Sequence, residues 1–159
     1  MRKEIEYITK TLQSIIDGEP WYGRPAMKIL KDIDPSAVFK NPGGNSHSLI
    51  ELIYHMNTWA EFTLKSLAEA DGAAITEIEK LDWRRIDPGE HSWDKGVAQF
   101  KVNHDLMIEL LNTKDDEFLS KKVGSREYNF RFLLHGIIQH DIYHLGQVAY
   151  VKKLLGQGG

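Results

Sequence analysis

The stretch FRFLLHGIIQHDIYHLGQVAYVKKLL, residues 130–155, has the apolar spacing of one long amphipathic helix. At about 100° per residue its apolar side chains form a single stripe, made of Phe130, Leu134, Ile137, Val148 and Leu155. An isolated helix of this kind is not stable in water, so the stripe predicts that other helices cover it. The same stretch carries two histidines, His140 and His144, four residues apart.

Three earlier stretches have the same helical spacing. The first ends at the Gly-Glu-Pro of residues 18–20; the second is capped by Ser46 or Ser48 and runs to about Ala70; the third begins near Ser92. Their stripes are Ile5, Ile8, Leu12, Ile15 and Ile16; then Leu49, Leu52, Ile53, Met56, Ala60 and Leu67; then Trp93, Val97, Phe100, Met107, Ile108 and Leu111. Packing the four stripes together predicts an all-α fold, a four-helix bundle.

The connections between these helices are long. We predict a crossover with one short helix over residues 21–45, a second long link over residues 72–91, and a small hairpin about Gly124 within residues 113–129. Links of this length allow neighbouring helices to run parallel as well as antiparallel.

Composition indicates one globular domain over residues 1–159, because 42% of the residues are hydrophobic and 27% are charged. A net charge of −3 gives no electrostatic basis for a nucleic-acid partner. The absence of cysteine excludes disulfides, a thiol nucleophile and cysteine-ligated zinc. The charged N-terminus is unlike a signal peptide, and no apolar run approaches the roughly 20 residues that span a bilayer. We therefore expect a cytoplasmic protein with no membrane partner.

Helical phase sorts the seven histidines. His140 and His144 lie about 40° apart on their helix, so both rings can reach one ion from one face. His135 projects to the opposite, polar side and is expected at the surface. His55 lies at the border of the second stripe and could supply a third nitrogen. We predict a metal site of His55, His140 and His144, with an acid–base pair or hydrogen-bonded core histidines as alternatives.

Other side chains are candidates for orienting these rings. Glu51, four residues before His55, could accept a hydrogen bond from the ring nitrogen that is not a ligand. Gln139 is a candidate for polar contacts at the site, and Gln147 is another. His104 and Asp141 both fall on apolar faces, and we expect them to pair across the core because a buried carboxylate needs a partner.

Other catalytic signatures are missing from the sequence. It contains no G-x-S-x-G nucleophile elbow, no phosphate-binding G-x-x-x-x-G-K-[ST], no dinucleotide-binding G-x-G-x-x-G and no E-x-x-H carboxylate motif in a helix interior. The histidines therefore remain as the best candidates for carrying chemistry.

The stretches SHSLIELIYHMNTWAEFTLKSL (46–67) and LLHGIIQHDIYHLGQVAYVKKL (133–154) together resemble the DinB/YfiT-like family of metalloenzymes, the DinB superfamily. That family is typified by a histidine on the second helix followed by an aromatic residue, and by an H-x-x-x-H pair on the last helix that leads into Gly-Gln. The matching residues are His55 with Trp59, then His140 and His144 before residues 146–147. The resemblance covers essentially the whole chain.

The resemblance implies a four-helix bundle with long crossovers, a divalent metal (zinc or nickel) held by three histidines, and a homodimer. It also implies a small-molecule substrate and a low-molecular-weight thiol as cosubstrate, as in family members that use bacillithiol, mycothiol or glutathione. The leading hypothesis is therefore a metal-dependent thiol transferase. The alternatives are a hydrolase that uses metal-activated water, and a non-catalytic, stress-associated helical interaction protein.

Overall fold

The computed structural model describes residues 1–70 and 72–157, and the described chain is helical. Its α-helices are α1 Lys3–Ile16, α2 Ala26–Lys31, α3 Leu49–Leu67, α4 Gly72–Glu79, α5 Trp93–Asn112 and α6 Phe130–Leu154. These residues form no strand, so the all-α prediction is confirmed. Six α-helices are present where four long helices and one short helix were predicted, and the additional one is α4. The predicted domain end at residue 159 lies outside the described residues.

The helix starts follow from local hydrogen bonding. Ser48 rather than Ser46 caps α3, and it forms a capping box with Glu51. Ser92 caps α5 as predicted, and Asn129 caps α6. The first turn of α1 has no cap of its own, and Asp116, in the segment after α5, accepts hydrogen bonds from two of its backbone N–H groups instead. These contacts fix where each long helix begins.

The four long helices pack side by side around one hydrophobic core, in the order α1, α5, α3, α6 and back to α1. Near its start α3 is tied to α5 by a 3.2 Å hydrogen bond from Tyr54 Oη to Ser92 O. Beyond their ends, Lys114 Nζ lies 3.9 Å from Glu69 Oε1. α3 and α5 therefore run parallel, which the long link between them allows.

The links differ in part from the prediction. The first crossover contains the expected short helix, α2, together with a 3-10 turn over Pro35–Ala37. The hairpin about Gly124 is present as an isolated antiparallel bridge between Lys122 and Asn129, and Gly124 has a φ of 54°. The second link was predicted without a helix, but residues 72–79 form α4. Within the described chain, no helix has the combination of length and apolarity that crossing a membrane requires.

Candidate metal centre

Three histidines meet where α3 and α6 cross the core in opposite directions. The Nε2 atom of His55 lies 3.0 Å from Nε2 of His140 and 3.0 Å from Nε2 of His144. One nitrogen from each ring falls within 4.8 Å of the others, so the group can hold a metal ion. The two α6 rings point the same way because a spacing of four residues returns to the same helical face. We refer to these three residues as the histidine cluster.

Burial keeps two rings of the cluster uncharged at neutral pH. His55 and His144 are each only 6% exposed. Burial, followed by the nearby charges of His144 and His140, lowers the pKa of His55 to about 4. Burial also lowers the pKa of His144, with a further contribution from the charge of His140. Both rings therefore present a nitrogen lone pair, which is the form that binds metals.

Hydrogen bonds at the far side of the rings decide which nitrogen faces the centre. Nδ1–H of His55 donates to Oδ1 of Asp82 at 2.6 Å, and Nδ1–H of His144 donates to Oε1 of Gln147 at 2.5 Å. With Nδ1 protonated, Nε2 of each ring carries the lone pair, and the two lone pairs face each other across 3.0 Å. His140 Nδ1 has no hydrogen bond and lies 3.9 Å from Oδ1 of Asp141.

The donor set fits a divalent cation. Lone pairs that converge at 3.0 Å repel one another unless a proton or a cation lies between them. Zinc–nitrogen bonds of about 2.0–2.1 Å separate two tetrahedral ligand atoms by about 3.3 Å, close to the observed spacing. In two of the three rings, the nitrogen that points away from the centre donates a hydrogen bond to an oxygen atom, as in known metal sites.

Two of the predicted orienting residues lie elsewhere. The carboxylate of Glu51 accepts hydrogen bonds from the backbone N–H and the hydroxyl of Ser48, at 2.8 and 2.6 Å, so it caps α3 instead of contacting His55. Gln139 is exposed on α6, and the glutamine that contacts the cluster is Gln147. The Glu51 prediction for His55 is therefore wrong, because the capping box uses its carboxylate. Asp82, which was not predicted, accepts the hydrogen bond from His55 Nδ1 instead. Gln147, the other glutamine candidate, accepts the hydrogen bond from His144 Nδ1.

An aromatic stack covers the outer side of His55. The Trp83 ring lies 3.7 Å from the His55 ring, centroid to centroid, and 3.7 Å from the ring of His47 on its other face. Trp83 has a φ of 44°, in the left-handed region that residues other than glycine rarely occupy. The indole of Trp59 donates to Oδ1 of Asp82 at 3.2 Å, so one carboxylate oxygen connects Trp59 and His55. The loop after α4 thus packs against the cluster from outside.

His104 and Asp141 form the core pair that their helical phase predicted. Nε2 of His104 lies 2.8 Å from Oδ2 of Asp141, and Nδ1 lies 2.8 Å from the carbonyl oxygen of Phe100. Both ring nitrogens face acceptors, so both must donate, which makes the ring an imidazolium. Although burial opposes a charge on each group, the attraction of the partner raises the pKa of His104 and lowers that of Asp141.

A pocket of about 200 Å³ opens between α3 and α6 beside the cluster. We call it the α3–α6 pocket, and its lining residues are Trp59, Thr63, Tyr128, Phe132, Leu133, Gly136, Ile137 and His140. His140 belongs to both the pocket and the cluster. A ligand in the pocket would therefore lie next to the histidine nitrogens.

Comparison with known proteins identifies a family. The sequence model of the DinB superfamily matches residues 25–148. No curated protein and no solved structure gave a significant match to the chain. The family match includes α2 to α5 and most of α6, together with all three residues of the histidine cluster. Because the match spans well over half of the 159 residues, this chain belongs to the DinB superfamily.

Proposed function

We propose that this protein is a metal-dependent enzyme in which His55, His140 and His144 hold one divalent cation, zinc or nickel. We further propose that it transfers a low-molecular-weight thiol to an electrophilic small molecule. The observation that carries the metal assignment is the approach of three Nε2 atoms to one another, with His55 Nε2 at 3.0 Å from each of the other two. Family membership supports the same assignment.

The protein's own residues prepare this site in three ways. Asp82 and Gln147 hold His55 and His144 in the tautomer that turns Nε2 toward the centre. Burial keeps both rings neutral, so no proton competes for Nε2 near pH 7. Three ligands leave a coordination position free, which is typical of catalytic rather than structural sites.

A divalent cation held by His55, His140 and His144 would supply Lewis-acid character, which lowers the pKa of a nearby thiol. The chain contains no cysteine, so the sulfur must come from a cosubstrate. In the proposed reaction the thiol sulfur forms a bond to an electrophilic carbon, the leaving group departs with its bonding electrons, and the thiol proton is released to solvent. His55 and His144 are buried, but the His140 side chain is 23% exposed and lines the α3–α6 pocket, so a small substrate can reach the cluster from that side.

Metal binding is tested by elemental analysis of the purified protein and by thermal melts with added zinc, nickel or manganese. We expect one equivalent of metal and a higher melting temperature, because a ligand that binds only the folded state stabilises it. His144→Ala should lose both effects. His135→Ala is the matched control on the same helix, since His135 lies outside the cluster, and it should keep both. No metal and no thermal shift in the unmodified protein would reject the proposal.

Transferase chemistry is tested by incubating the metal-loaded protein with a chloronitroaromatic electrophile and glutathione, bacillithiol or mycothiol. We expect a thioether product with at least one thiol, and none with His144→Ala. The same reaction without thiol separates transferase from hydrolase activity. Turnover that proceeds equally well without any thiol would show a hydrolase and reject the transferase.

A further inference from the structure

We propose that the α3–α6 pocket binds the non-reacting part of the electrophilic substrate, and that this part is an uncharged group the size of one aromatic ring. This inference rests on the proposed function, because it assumes that chemistry takes place at the histidine cluster. The pocket is placed for such a role by His140, whose ring lines it while its Nε2 lies 3.0 Å from His55 Nε2.

The lining of the pocket selects against charge. Among the described residues that line it, none is an aspartate, glutamate, lysine or arginine. The Thr63 hydroxyl donates to the carbonyl of Trp59 at 2.9 Å, so its proton is not available to a ligand. A charged group placed there would lose water without gaining an ionic partner, which is costly. Transfer of an apolar group from water into the pocket is favourable.

The size of the pocket limits the group it can hold. Its volume is about 200 Å³. An apolar cavity of about 150 Å³ is known to bind benzene, so this pocket suits a single ring or a short branched alkyl chain. Drug-sized ligands generally occupy about 300–1,000 Å³, so a larger group would extend into solvent past the exposed ring of Phe132.

One wall of the pocket is held in place before any ligand binds. The Trp59 indole donates to Asp82 Oδ1 at 3.2 Å, and its ring packs edge-on against Phe62 at 5.3 Å. The polar edge of Trp59 is thereby turned toward the carboxylate that also orients His55. A wall fixed in this way lowers the entropy that is lost on binding. Asp82 therefore positions both this wall of the pocket and the His55 ring of the histidine cluster.

The opposite wall contains Gly136, where a Cβ would meet nothing within 4 Å. A larger side chain at this position would project into the pocket without a backbone clash. Gly146 on the same helix also has free space around it, but it does not line the pocket. Leucine at either position should favour the helix to a similar degree, because glycine is a poor helix former. Only leucine at position 136 should block the pocket.

The test is titration of the metal-loaded protein with benzyl alcohol, followed through the indole N–H signals of the tryptophans by NMR. We expect the Trp59 signal to shift and saturate. Benzenesulfonate, which has the same ring but carries a charged group that is a poor metal ligand, should bind at least about tenfold more weakly. Gly136→Leu should weaken benzyl alcohol binding at least about tenfold, whereas Gly146→Leu should leave it within about twofold. Gly136→Ala provides a smaller change at the same site and should give an intermediate loss.

Elemental analysis of the same samples separates the two proposals. Gly136→Leu should keep its metal, so a loss of benzyl alcohol binding would be assigned to the pocket. If the unmodified protein binds metal but not benzyl alcohol, or binds benzenesulfonate as tightly, this inference is overturned and the metal site stands. Equal losses in Gly136→Leu and Gly146→Leu would also overturn it. Absence of metal would instead reject the proposed function, while the benzyl alcohol titration would still report on the pocket.

Discussion

Helix α6 takes part in two histidine groups that differ in one respect. In the core pair, both nitrogens of His104 have an acceptor, the Phe100 carbonyl and the Asp141 carboxylate, and both side chains of the pair are essentially inaccessible. In the histidine cluster, Nδ1 of His55 and of His144 has an acceptor, but every Nε2 faces another Nε2. Asp141 lies in sequence between the two cluster residues of α6, yet its carboxylate turns toward α5.

Burial alone does not distinguish a histidine that could bind a metal from one that only supports the fold. His104 and His144 are both buried on apolar helix faces. The distinction lies in the partner of each ring nitrogen. Both donors of the His104 ring are satisfied within the protein, so the ring supports the fold, whereas the Nε2 atoms of the histidine cluster face one another and could hold a cation. The two groups should therefore respond in opposite ways to substitution and to metal.

The largest effect is expected at the core pair. His104→Leu removes the imidazolium and leaves the Asp141 carboxylate buried without its partner. We expect the free energy of unfolding, measured by urea denaturation without metal, to fall by about 3–5 kcal/mol. The matched double variant, His104→Leu with Asp141→Leu, removes both charges and should recover most of that loss. A loss below about 1 kcal/mol in the single variant would contradict an ionic pair in the core.

The next effect concerns the cluster and has the opposite sign. Without metal, His144→Leu removes one of the converging lone pairs from a buried site, so we expect the free energy of unfolding to stay the same or to rise. With metal at about 100 times its dissociation constant, the unmodified protein should gain about 2.7 kcal/mol, and His144→Leu should gain nothing. The measurement is a pair of urea titrations with and without zinc. A large loss of stability in the metal-free variant would show that the cluster is structural, like the core pair.

Sequence periodicity predicted the parts of this contrast that depend on local geometry. The stripes on α1, α3, α5 and α6, the shared face of His140 and His144, and the inward phase of His104 and Asp141 all follow from the helical repeat. Helix α4 was missed because its eight residues bury only Ile75 and Ile78, too few to form a stripe. Its packing against Phe62 depends on tertiary structure that periodicity does not contain.

The orienting carboxylate could not be predicted for a similar reason. Asp82 lies in a loop 27 residues after His55, and only the folded path of the chain brings it to Nδ1. The capping role of Glu51, by contrast, is written in the sequence. Ser48 and Glu51 have the S-x-x-E spacing of a capping box, which already assigns that carboxylate to the start of α3. The S-x-x-E spacing therefore favours a cap at Ser48 over a contact between Glu51 and His55, four residues later.

Asp82 and Glu51 provide the third test, because the Asp82 carboxylate contacts the histidine cluster and the Glu51 carboxylate contacts only the start of α3. Asp82→Asn should weaken metal affinity by about 10–100-fold, since it loses the charge that holds the His55 tautomer, and should change stability little. Glu51→Ala should leave metal affinity unchanged and lower the free energy of unfolding by about 1 kcal/mol or less through loss of the cap. Competition with a metal-binding dye measures the first property, and urea denaturation the second. Equal metal affinities in the two variants would remove Asp82 from the site.

The smallest effect is expected at the start of α6, where the Arg131–Glu4 ion pair is partly exposed to solvent. Arg131 donates to both carboxylate oxygens of Glu4, at 2.6 and 3.0 Å, and about a third of each side chain is exposed. The hydrogen bond from Arg131 lowers the pKa of Glu4 below its ordinary value of 4.5, although partial burial opposes the shift. A lowered carboxylate pKa stabilises the fold above the pKa of the unfolded chain, and this contribution is lost as the pH falls through the folded value.

Glu4→Gln should therefore lower the melting temperature slightly near pH 7, by the equivalent of less than about 1 kcal/mol. The difference from the unmodified protein should shrink as the pH falls below about 4.5 and should also shrink in high salt, because the pair is exposed. Melts of both proteins across this range measure it. The buried His104–Asp141 pair should respond far less to salt, since the ions cannot approach it. Equal weakening of both pairs by salt would contradict the distinction between the buried His104–Asp141 pair and the partly exposed Glu4–Arg131 pair.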